Sequence, residues 1–330
     1  MIENSSSFFL RITATSRCNL KCEYCNPNNE FNENLISNKE LAETIKAASE
    51  LGIKTVHWTG GEPTLRKGIV DLVEESSQYG ISTQSITTNG VLFNRMAEKF
   101  CKAGLTGASI SLDSLNAEKV ERITGFNILN NVQESIEKSC DLFQHVTVNM
   151  VVMRQNFEEM PNFIEFAKKM DGRFIPRFCE LQNFGPAYEE DPQLFTKNYV
   201  SRTEIFDSLK NIDQIEIKPR KLVDKENSHA EYFFLKRNNL IAGIIAPYFY
   251  RWPCAEENCG RIRIGPTGII KSCVASNSYF LSESSFEEKK DILKKVIEEK
   301  QARILDNNFP KNHKPAYKEL RFGLDINKSN

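Results

Sequence analysis

The sequence predicts an α/β fold built on a parallel β-sheet, and two observations lead to this prediction. Six runs rich in β-forming residues alternate with helical patterns up to residue 181. Glycines stand where the first three of the intervening helices should end, at Gly52, Gly80 and Gly104. Because parallel strands are joined by right-handed crossovers, the pattern fits an open doubly wound sheet and also a full or partial barrel.

The predicted elements follow one another in a regular order along the chain. Apolar runs with strand-forming residues occupy 8–15, 55–60, 82–90, 107–114, 145–153 and 172–181. The helical patterns between them read NKELAETIKAASELG, KGIVDLVEESSQYG, FNRMAEKFCKAG, ILNNVQESIEKSC and FEEMPNFIEFAKKM. In either architecture the functional loops are expected after the carboxyl ends of the strands.

The second half of the chain follows a different pattern. From about residue 187 to 253 the sequence is more polar, and the stretch CAEENCGRIRIGPTGIIKSC then predicts two strands around the turn at 265–268. A charged segment, SFEEKKDILKKVIEEKQARIL, is typical of a solvated amphipathic helix. We therefore predict a barrel-type region over 1–186 and a second region over 187–330.

Composition excludes several classes of protein. The chain has 330 residues, 40% of them apolar, which is enough for one large core with a smaller appended region. Its formal charge of −1 provides no basic field for nucleic acid. The start, MIENSSSFFLRI, lacks the basic residue of a signal peptide, and Gly243 and Pro247 interrupt the longest apolar stretch. We expect a soluble, cytoplasmic protein without a membrane or nucleic-acid partner.

The nine cysteines fall into two groups and three single residues. In a cytoplasmic protein, clustered cysteines indicate a metal site or catalysis before disulfides. The groups are Cys18, Cys22 and Cys25, and Cys254, Cys259 and Cys273. The single residues Cys101, Cys140 and Cys179 lie in apolar surroundings, where a free cysteine behaves as a small buried hydrophobe.

The first group, SRCNLKCEYC, comes directly after the first predicted strand. A structural zinc site would close its shell with a fourth ligand, but all four histidines are distant from Cys25 in sequence. Three thiolates can instead hold three irons of a 4Fe–4S cube and leave the fourth iron open to another ligand. An iron–sulfur cluster is therefore favoured over zinc.

This spacing, with Tyr24 before the last cysteine, resembles the signature of the radical S-adenosylmethionine (SAM) enzymes. The second strand ends in TGGEP, the third in TTNG and the fourth in SLDS, which also match that family. Glycines there allow close backbone approach to a ligand, and a carboxylate or carbonyl accepts hydrogen bonds from an ammonium group. The resemblance implies a partial (β/α)6 TIM-like barrel. It further implies that SAM is bound by Tyr24, Gly60, Gly61, Glu62, Pro63, Thr88, Asn89 and Ser111.

The resemblance also implies a reaction. In this family a reduced cluster donates an electron that cleaves SAM to a 5′-deoxyadenosyl radical, and the radical abstracts hydrogen from a substrate. The cofactors expected here are therefore SAM and the cluster held by Cys18, Cys22 and Cys25. We expect a protein electron donor such as flavodoxin or ferredoxin, and we keep a homodimer open as the oligomeric state.

The second group of cysteines resembles the C-terminal segment of the GTP 3′,8-cyclase family of molybdenum-cofactor biosynthesis. The stretches LDSLNAEKVERITG, VTVNMVVMRQNFEE and RFCEL are similar to that family as well. The resemblance implies a lyase with a second 4Fe–4S cluster on Cys254, Cys259 and Cys273, whose open iron binds guanine. It assigns GTP binding in catalysis to Arg11, Arg261 and Arg263, and further nucleotide contacts to Arg154 and Arg177.

Two departures from that family keep other substrates open. Four residues, AEEN, separate Cys254 from Cys259, where the cyclases have two, and the chain ends in DINKSN without their Gly-Gly tail. A paralogue acting on another nucleotide or nucleoside-like metabolite is an alternative, as is a peptide-modifying radical SAM enzyme. A non-catalytic iron–sulfur carrier would explain the cysteines, but not GGEP, TTNG or the arginines. If no cysteines flanked them, Arg261 and Arg263 would be interpreted as solvent-facing residues that alternate with isoleucines on a half-buried strand.

Overall fold

The computed structural model describes residues 8–25, 34–182, 192–218, 230–246, 260–273 and 276–305. All six predicted strands are present, as β1 Phe9–Thr13, β2 Thr55–Thr59, β3 Thr83–Thr88, β4 Gly107–Ser111, β5 His145–Val152 and β6 Ile175–Glu180. The helices between them are α1 Asn38–Glu50, α2 Ile69–Gln78, α3 Phe93–Lys102, α4 Ala117–Thr124, α5 Leu129–Leu142 and α6 Met160–Lys169. The predicted alternation of strands and helices is confirmed.

The remaining elements come from the second half of the chain. They are α7 Pro192–Asn198, α8 Arg202–Ile212, β7 Ile215–Lys218, β8 Ala230–Leu235, β9 Leu240–Ile245, β10 Arg261–Ile264, β11 Ile269–Lys271, β12 Tyr279–Phe280 and α9 Phe286–Leu305. The two strands predicted around 265–268 are β10 and β11, which pair antiparallel. The predicted boundary at residue 186 lies outside the described residues and stays a prediction.

Helix α4 was not among the helices expected from the sequence. The side chain of Asn116 accepts a hydrogen bond from the backbone N–H of Lys119, which caps the helix at its start. Gly125 ends the helix in a left-handed conformation, with φ 81°. These end signals are readable in the sequence. Helix α4 matters for the site because it contacts the loop that carries Cys18, Cys22 and Cys25, which we call the cysteine loop.

The strands form a single twelve-stranded sheet in the order β12-β11-β10-β1-β2-β3-β4-β5-β6-β9-β8-β7. The central run from β10 to β9 is parallel throughout, because β10 adds beside β1 and β9 adds beside β6 in the same direction. The second half of the chain thus extends the parallel sheet at both sides.

The sheet is curved rather than flat. Arg11 on β1 and Arg177 on β6 are five strand positions apart, and in a flat sheet five steps of about 4.8 Å would separate them by about 24 Å. Yet the pKa of Arg11 is lowered by burial, then by the charges of Arg261 and Arg263, and also by that of Arg177. Because Coulomb interactions fade with distance, these guanidiniums share one concave surface. The curvature supports a partial barrel over an open doubly wound sheet.

The two faces of the curved sheet differ in chemistry. On the convex face, Leu10, Ile12, Ile262 and Ile264 are fully buried in the main hydrophobic core with the surrounding helices. The arginines of β1 and β10 alternate with these residues and therefore point to the concave face. Arg261 and Arg263 are only partly exposed, so the structure does not place them on a solvent-facing strand surface.

The C-terminal helix is packed rather than solvated on all sides. Leu293, Val296 and Ile297 of α9 are fully buried, and the helix lies against α1. The side chain of Lys289 is only 1% exposed and forms an ion pair of 2.8 Å with Glu43 of α1. Within the residues the structure describes, every helix is too short or too polar to cross a membrane.

Candidate functional site

The cysteine loop is fastened to the end of β2 by backbone hydrogen bonds. The N–H of Gly61 donates to the carbonyl of Thr15, and the N–H of Glu62 donates to the carbonyl of Arg17, each over 2.7 Å. A Cβ atom on Gly61 would lie 2.3 Å from the carbonyl oxygen of Ser16, and one on Gly60 would lie 2.5 Å from that of Thr15. Glycine was expected here so that a ligand could approach the backbone. The structure supplies a second reason, which is the contact with the cysteine loop itself.

The other side of the loop is held by α4 and by the ends of β4 and β5. The N–H groups of Lys21 and Glu23 donate to the carbonyls of Thr124 and Ile123, over 3.0 and 2.9 Å. The hydroxyl of Tyr24 donates to a carboxylate oxygen of Asp113 over 2.8 Å. Burial raises the pKa of Asp113 to about 6. Tyr24 therefore fixes the position of the loop through a partly buried hydrogen bond.

The three thiols face a common cavity at the carboxyl end of the strands. Nine of the residues predicted for the cluster or for SAM line this cavity: Cys18, Cys22, Tyr24, Cys25, Gly60, Gly61, Thr88, Asn89 and Ser111. Thr59 and Thr87, near the carboxyl ends of β2 and β3, also line it. The structure thus brings together side chains that are up to 93 positions apart in sequence, from Cys18 to Ser111.

The donor set of this cavity fits an iron–sulfur cluster. Burial raises the pKa of each of Cys18, Cys22 and Cys25, so that a positively charged group is needed to hold them as thiolates. Among the described residues, no three His, Cys, Asp or Glu side chains are arranged around a single metal ion. In a 4Fe–4S cluster each thiolate binds a different iron, which is compatible with a wider spacing of the thiols.

Glu62 links the loops that follow β2 and β3. It is fully buried, and its carboxylate accepts hydrogen bonds from the backbone N–H and hydroxyl of Thr64, the hydroxyl of Thr88 and the N–H of Asn89. Burial raises the pKa of this carboxyl, and the four hydrogen bonds act in the opposite direction. Pro63 is buried beside it, in the short 3₁₀ turn Pro63–Leu65. The assignment of Glu62 to the amino group of SAM stays a prediction.

The concave face below the cavity carries a layer of arginines. Arg11 lies opposite Arg263 in the β1–β10 register, and its guanidinium reaches the hydroxyl of Thr59 over 3.5 Å. Arg177 donates to the side chains of Asn149 and Ser109 over 2.8 and 2.7 Å. We call Arg11, Arg177, Arg261 and Arg263 the arginine layer.

The sequence analysis did not identify His57, which lies beside this layer. Its ring nitrogens are hydrogen-bonded to the hydroxyls of Ser85 over 2.6 Å and Thr87 over 2.8 Å. Burial, followed by the charges of Arg11, Arg261 and Arg177, lowers its pKa well below the usual range, so the imidazole is neutral. The sequence did contain a signal for this position. Residues two apart on a strand share a face, so His57 is expected on the same face as Thr59.

The arginine layer lies between the first cysteine group and Cys273. The first group follows the carboxyl end of β1, whereas Cys273 follows β11, which runs antiparallel to β10. Cys273 is therefore at the level of the amino ends of β10 and β1, and it is buried. Cys254 and Cys259 lie outside the described residues.

Of the five arginines predicted to bind the nucleotide, Arg154 lies apart from the other four. It follows β5, and its side chain is 49% exposed. Its guanidinium forms an ion pair of 2.7 Å with Glu204 of α8. The assignment of Arg154 to the nucleotide stays a prediction, and Arg154 does not belong to the arginine layer.

Comparisons with known proteins agree with this geometry. The radical SAM superfamily profile matches residues 12–167. The GTP 3′,8-cyclase of Syntrophomonas wolfei is 34% identical over 91% of this chain and 92% of its own length. The GTP 3′,8-cyclase of Clostridium botulinum strain Langeland is 30% identical over 96% of each chain.

Solved structures share the fold at low sequence identity. Streptococcus suis SuiB bound to S-adenosylmethionine superposes with a TM-score of 0.62 at 17% identity, covering 88% of this chain and 67% of that one. The enzyme anSMEcpe with bound AdoMet and a peptide gives a TM-score of 0.57 at 18% identity, covering 86% and 80%.

The tight contact at Gly61 generates a prediction. Gly61→Ala forces the carbonyls of Ser16 and Arg17 away, because the new methyl would lie 2.3–2.4 Å from them. We expect a loss of about 1–3 kcal/mol in the free energy of unfolding, as for other overpacked sites. Displacement of the cysteine loop should also lower the iron content after anaerobic reconstitution. Denaturant unfolding and iron analysis measure the two effects.

Gly265→Ala is the matched control, because its Cβ would lie 3.5 Å from its nearest neighbour, an ordinary contact. Equal iron contents in the two variants would show that the fit of Gly61 against the loop is not needed for cluster assembly.

Proposed function

The chain belongs to the radical SAM superfamily, in the family of the GTP 3′,8-cyclases, and on that premise we propose that it is a two-cluster enzyme acting on a purine nucleotide. The substrate is GTP or a close relative, and the reaction is a lyase reaction like that of the cyclases. The observation that carries the proposal is the arginine layer between the cavity of the first cysteine group and Cys273.

A layer of four neighbouring cations favours an anionic substrate. Desolvation of several guanidiniums is costly, and burial together with their mutual repulsion lowers the pKa of Arg11. A triphosphate offers several oxygens that pair with guanidiniums in the bidentate geometry of arginine. His57 is neutral and adds no further positive charge, so the layer retains hydrogen-bond donors without increasing the repulsion.

In this proposal Cys18, Cys22 and Cys25 hold the first cluster, and Cys254, Cys259 and Cys273 hold the second. When bound, the first cluster and SAM supply the 5′-deoxyadenosyl radical of this superfamily. Gly60, Gly61, Thr88, Asn89 and Ser111 line the SAM cavity, and Tyr24 keeps the cysteine loop closed against Asp113. Arg11, Arg261 and Arg263 orient the nucleotide below SAM, and their positive charges favour an anionic substrate over a neutral one.

An alternative within the same scaffold is a paralogue that uses a different nucleotide or nucleoside-like metabolite. The same arginine layer would serve it, because the layer recognises phosphate rather than a base. A peptide substrate is less well supported, because four neighbouring guanidiniums suit a polyanion better than a neutral backbone. The electron donor, flavodoxin or ferredoxin, the cytoplasmic location and the homodimer remain predictions.

The first cysteine group generates the first test of this function. We expect the anaerobically reconstituted protein to contain about eight irons per chain, four for each cluster. Replacing Cys18, Cys22 and Cys25 with alanine should leave about four irons and abolish formation of 5′-deoxyadenosine, since each cluster has four irons. Iron analysis and chromatography of the SAM products measure these outcomes.

Alanine at Cys101 and Cys140, on α3 and α5, is the control and should change neither value. Retained SAM cleavage in the first-group variant would refute the radical SAM assignment of these thiols.

The second cysteine group has a separable role in the proposal. Alanine at Cys254, Cys259 and Cys273 should leave SAM cleavage in the absence of substrate intact and stop substrate turnover, because the first cluster alone generates the radical and the second is proposed to hold the substrate. Parallel assays of 5′-deoxyadenosine and of nucleotide product decide this. A normal product from the variant would show that these cysteines do not anchor the substrate.

The arginine layer generates a binding prediction. Arg263→Ala should weaken GTP binding by about 1.5–3 kcal/mol, the usual loss for a charged hydrogen bond. Isothermal titration calorimetry measures this, and Arg173→Ala is the control, because Arg173 pairs with Asp141 and its side chain is 43% exposed. If the wild type with both clusters assembled binds no purine nucleotide, the substrate belongs to another class.

A further inference from the structure

Asn89 lies where the β2, β3 and cysteine loops meet. Its backbone N–H donates to a carboxylate oxygen of Glu62 over 2.7 Å. Its side-chain amide nitrogen lies 2.7 Å from the side-chain oxygen of Asn19 and 3.8 Å from Sγ of Cys18. Asn89 thus connects a buried carboxylate to one of the cluster thiols.

The orientation of the Asn89 amide is fixed by its neighbours. The backbone N–H of Val91 lies 3.1 Å from Oδ1 of Asn89. A backbone N–H only donates, so the oxygen of the amide must face Val91. The two hydrogens of Nδ2 then point to the only remaining acceptors in this network, Oδ1 of Asn19 and Sγ of Cys18. The amide is therefore held as a donor to the sulfur.

The position of Asn89 is fixed as firmly as its orientation. Glu62, which receives its backbone N–H, is fully buried and also accepts two hydrogen bonds from Thr64. A second donor reaches the same sulfur, because the N–H of Leu20 lies 3.5 Å from Sγ of Cys18. Two N–H dipoles from two different loops thus converge on Cys18.

We propose that Asn89 is a positioning residue for Cys18, whose amide hydrogen bond to the thiolate makes the cluster held by the first cysteine group easier to reduce. This inference rests on the proposed function, since it requires a cluster on these thiols. One-electron reduction by an external reductant adds one negative charge, shared by iron, sulfide and thiolate, and no bond forms or breaks. A donor to the thiolate stabilises that added charge, and hydrogen bonds to sulfur are known to set cluster potentials.

The inference gives Asn89 a role different from direct contact with SAM. Both hydrogens of its amide are already directed at protein acceptors, one of them a cluster ligand. Its effect would therefore be present before SAM binds. The midpoint potential of the SAM-free cluster is the quantity that distinguishes this role.

The test is a redox titration of the reconstituted full-length protein with dithionite, followed by electron paramagnetic resonance. The signal of the first cluster is identified as the one that changes when SAM is added to a separate sample. Asn89→Ser removes the donor to Cys18, while its hydroxyl can still accept from the N–H of Val91 and preserve the turn. We expect the midpoint potential of this variant to shift to a more negative value.

Thr64→Val is the matched control, because it loosens the same Glu62 connection without removing a donor to sulfur. A negative shift in Asn89→Ser that exceeds the shift in Thr64→Val supports the inference. An unchanged or more positive potential, or equal shifts in the two variants, overturns it. Failure of the wild type to assemble any cluster would instead refute the proposed function.

A second measurement does not depend on any variant. In wild-type protein labelled with ¹⁵N in the asparagine side-chain amides, pulsed electron paramagnetic resonance should detect a nitrogen coupled to the reduced first cluster. A coupled side-chain nitrogen supports the hydrogen bond, and its absence from the reduced, SAM-free protein overturns the inference.

Discussion

The backbone contact between the cysteine loop and the turn after β2 is the constraint on which the site depends. The cysteine loop carries Cys18, Cys22 and Cys25, which line one cavity. Gly61 and Glu62 fix it with two hydrogen bonds of 2.7 Å, and the absence of Cβ atoms at Gly60 and Gly61 allows the two chains to come this close. The same turn places Glu62 under the β3 loop, so that one short segment holds both sides of the cavity.

The polar residues on the concave face of the sheet do not serve the stability of the fold. Guanidiniums that lie close together repel one another and lose part of their hydration. The hydroxyl of Ser109 accepts a hydrogen bond from Arg177, and the hydroxyls of Ser85 and Thr87 are hydrogen-bonded to the neutral His57. Such a surface is stabilised further when an anion enters. The repulsion lowers the stability of the protein, and a bound anion would relieve it.

The second half of the chain contributes to this concave face through the sheet. β10 lies beside β1 and brings Arg263 opposite Arg11, while β9 lies beside β6, where Gly243 leaves room for Arg177. A Cβ atom at Gly243 would lie 3.1 Å from the side chain of Arg177. The curvature of the sheet then places arginines from non-adjacent strands on one surface.

The sequence by itself determined the alternation of strands and helices, because periodicity and helix-ending glycines are local properties. It also determined the first cysteine group and the GGEP and TTNG segments, since their spacing within short stretches has few structural interpretations. Tertiary structure decided what the sequence could not. Glu62 is a buried link between loops, His57 lies beside the arginine layer, and Arg154 forms an ion pair with Glu204. These outcomes depend on which strands become neighbours and how far the sheet curls, and both are set by contacts between residues distant in sequence.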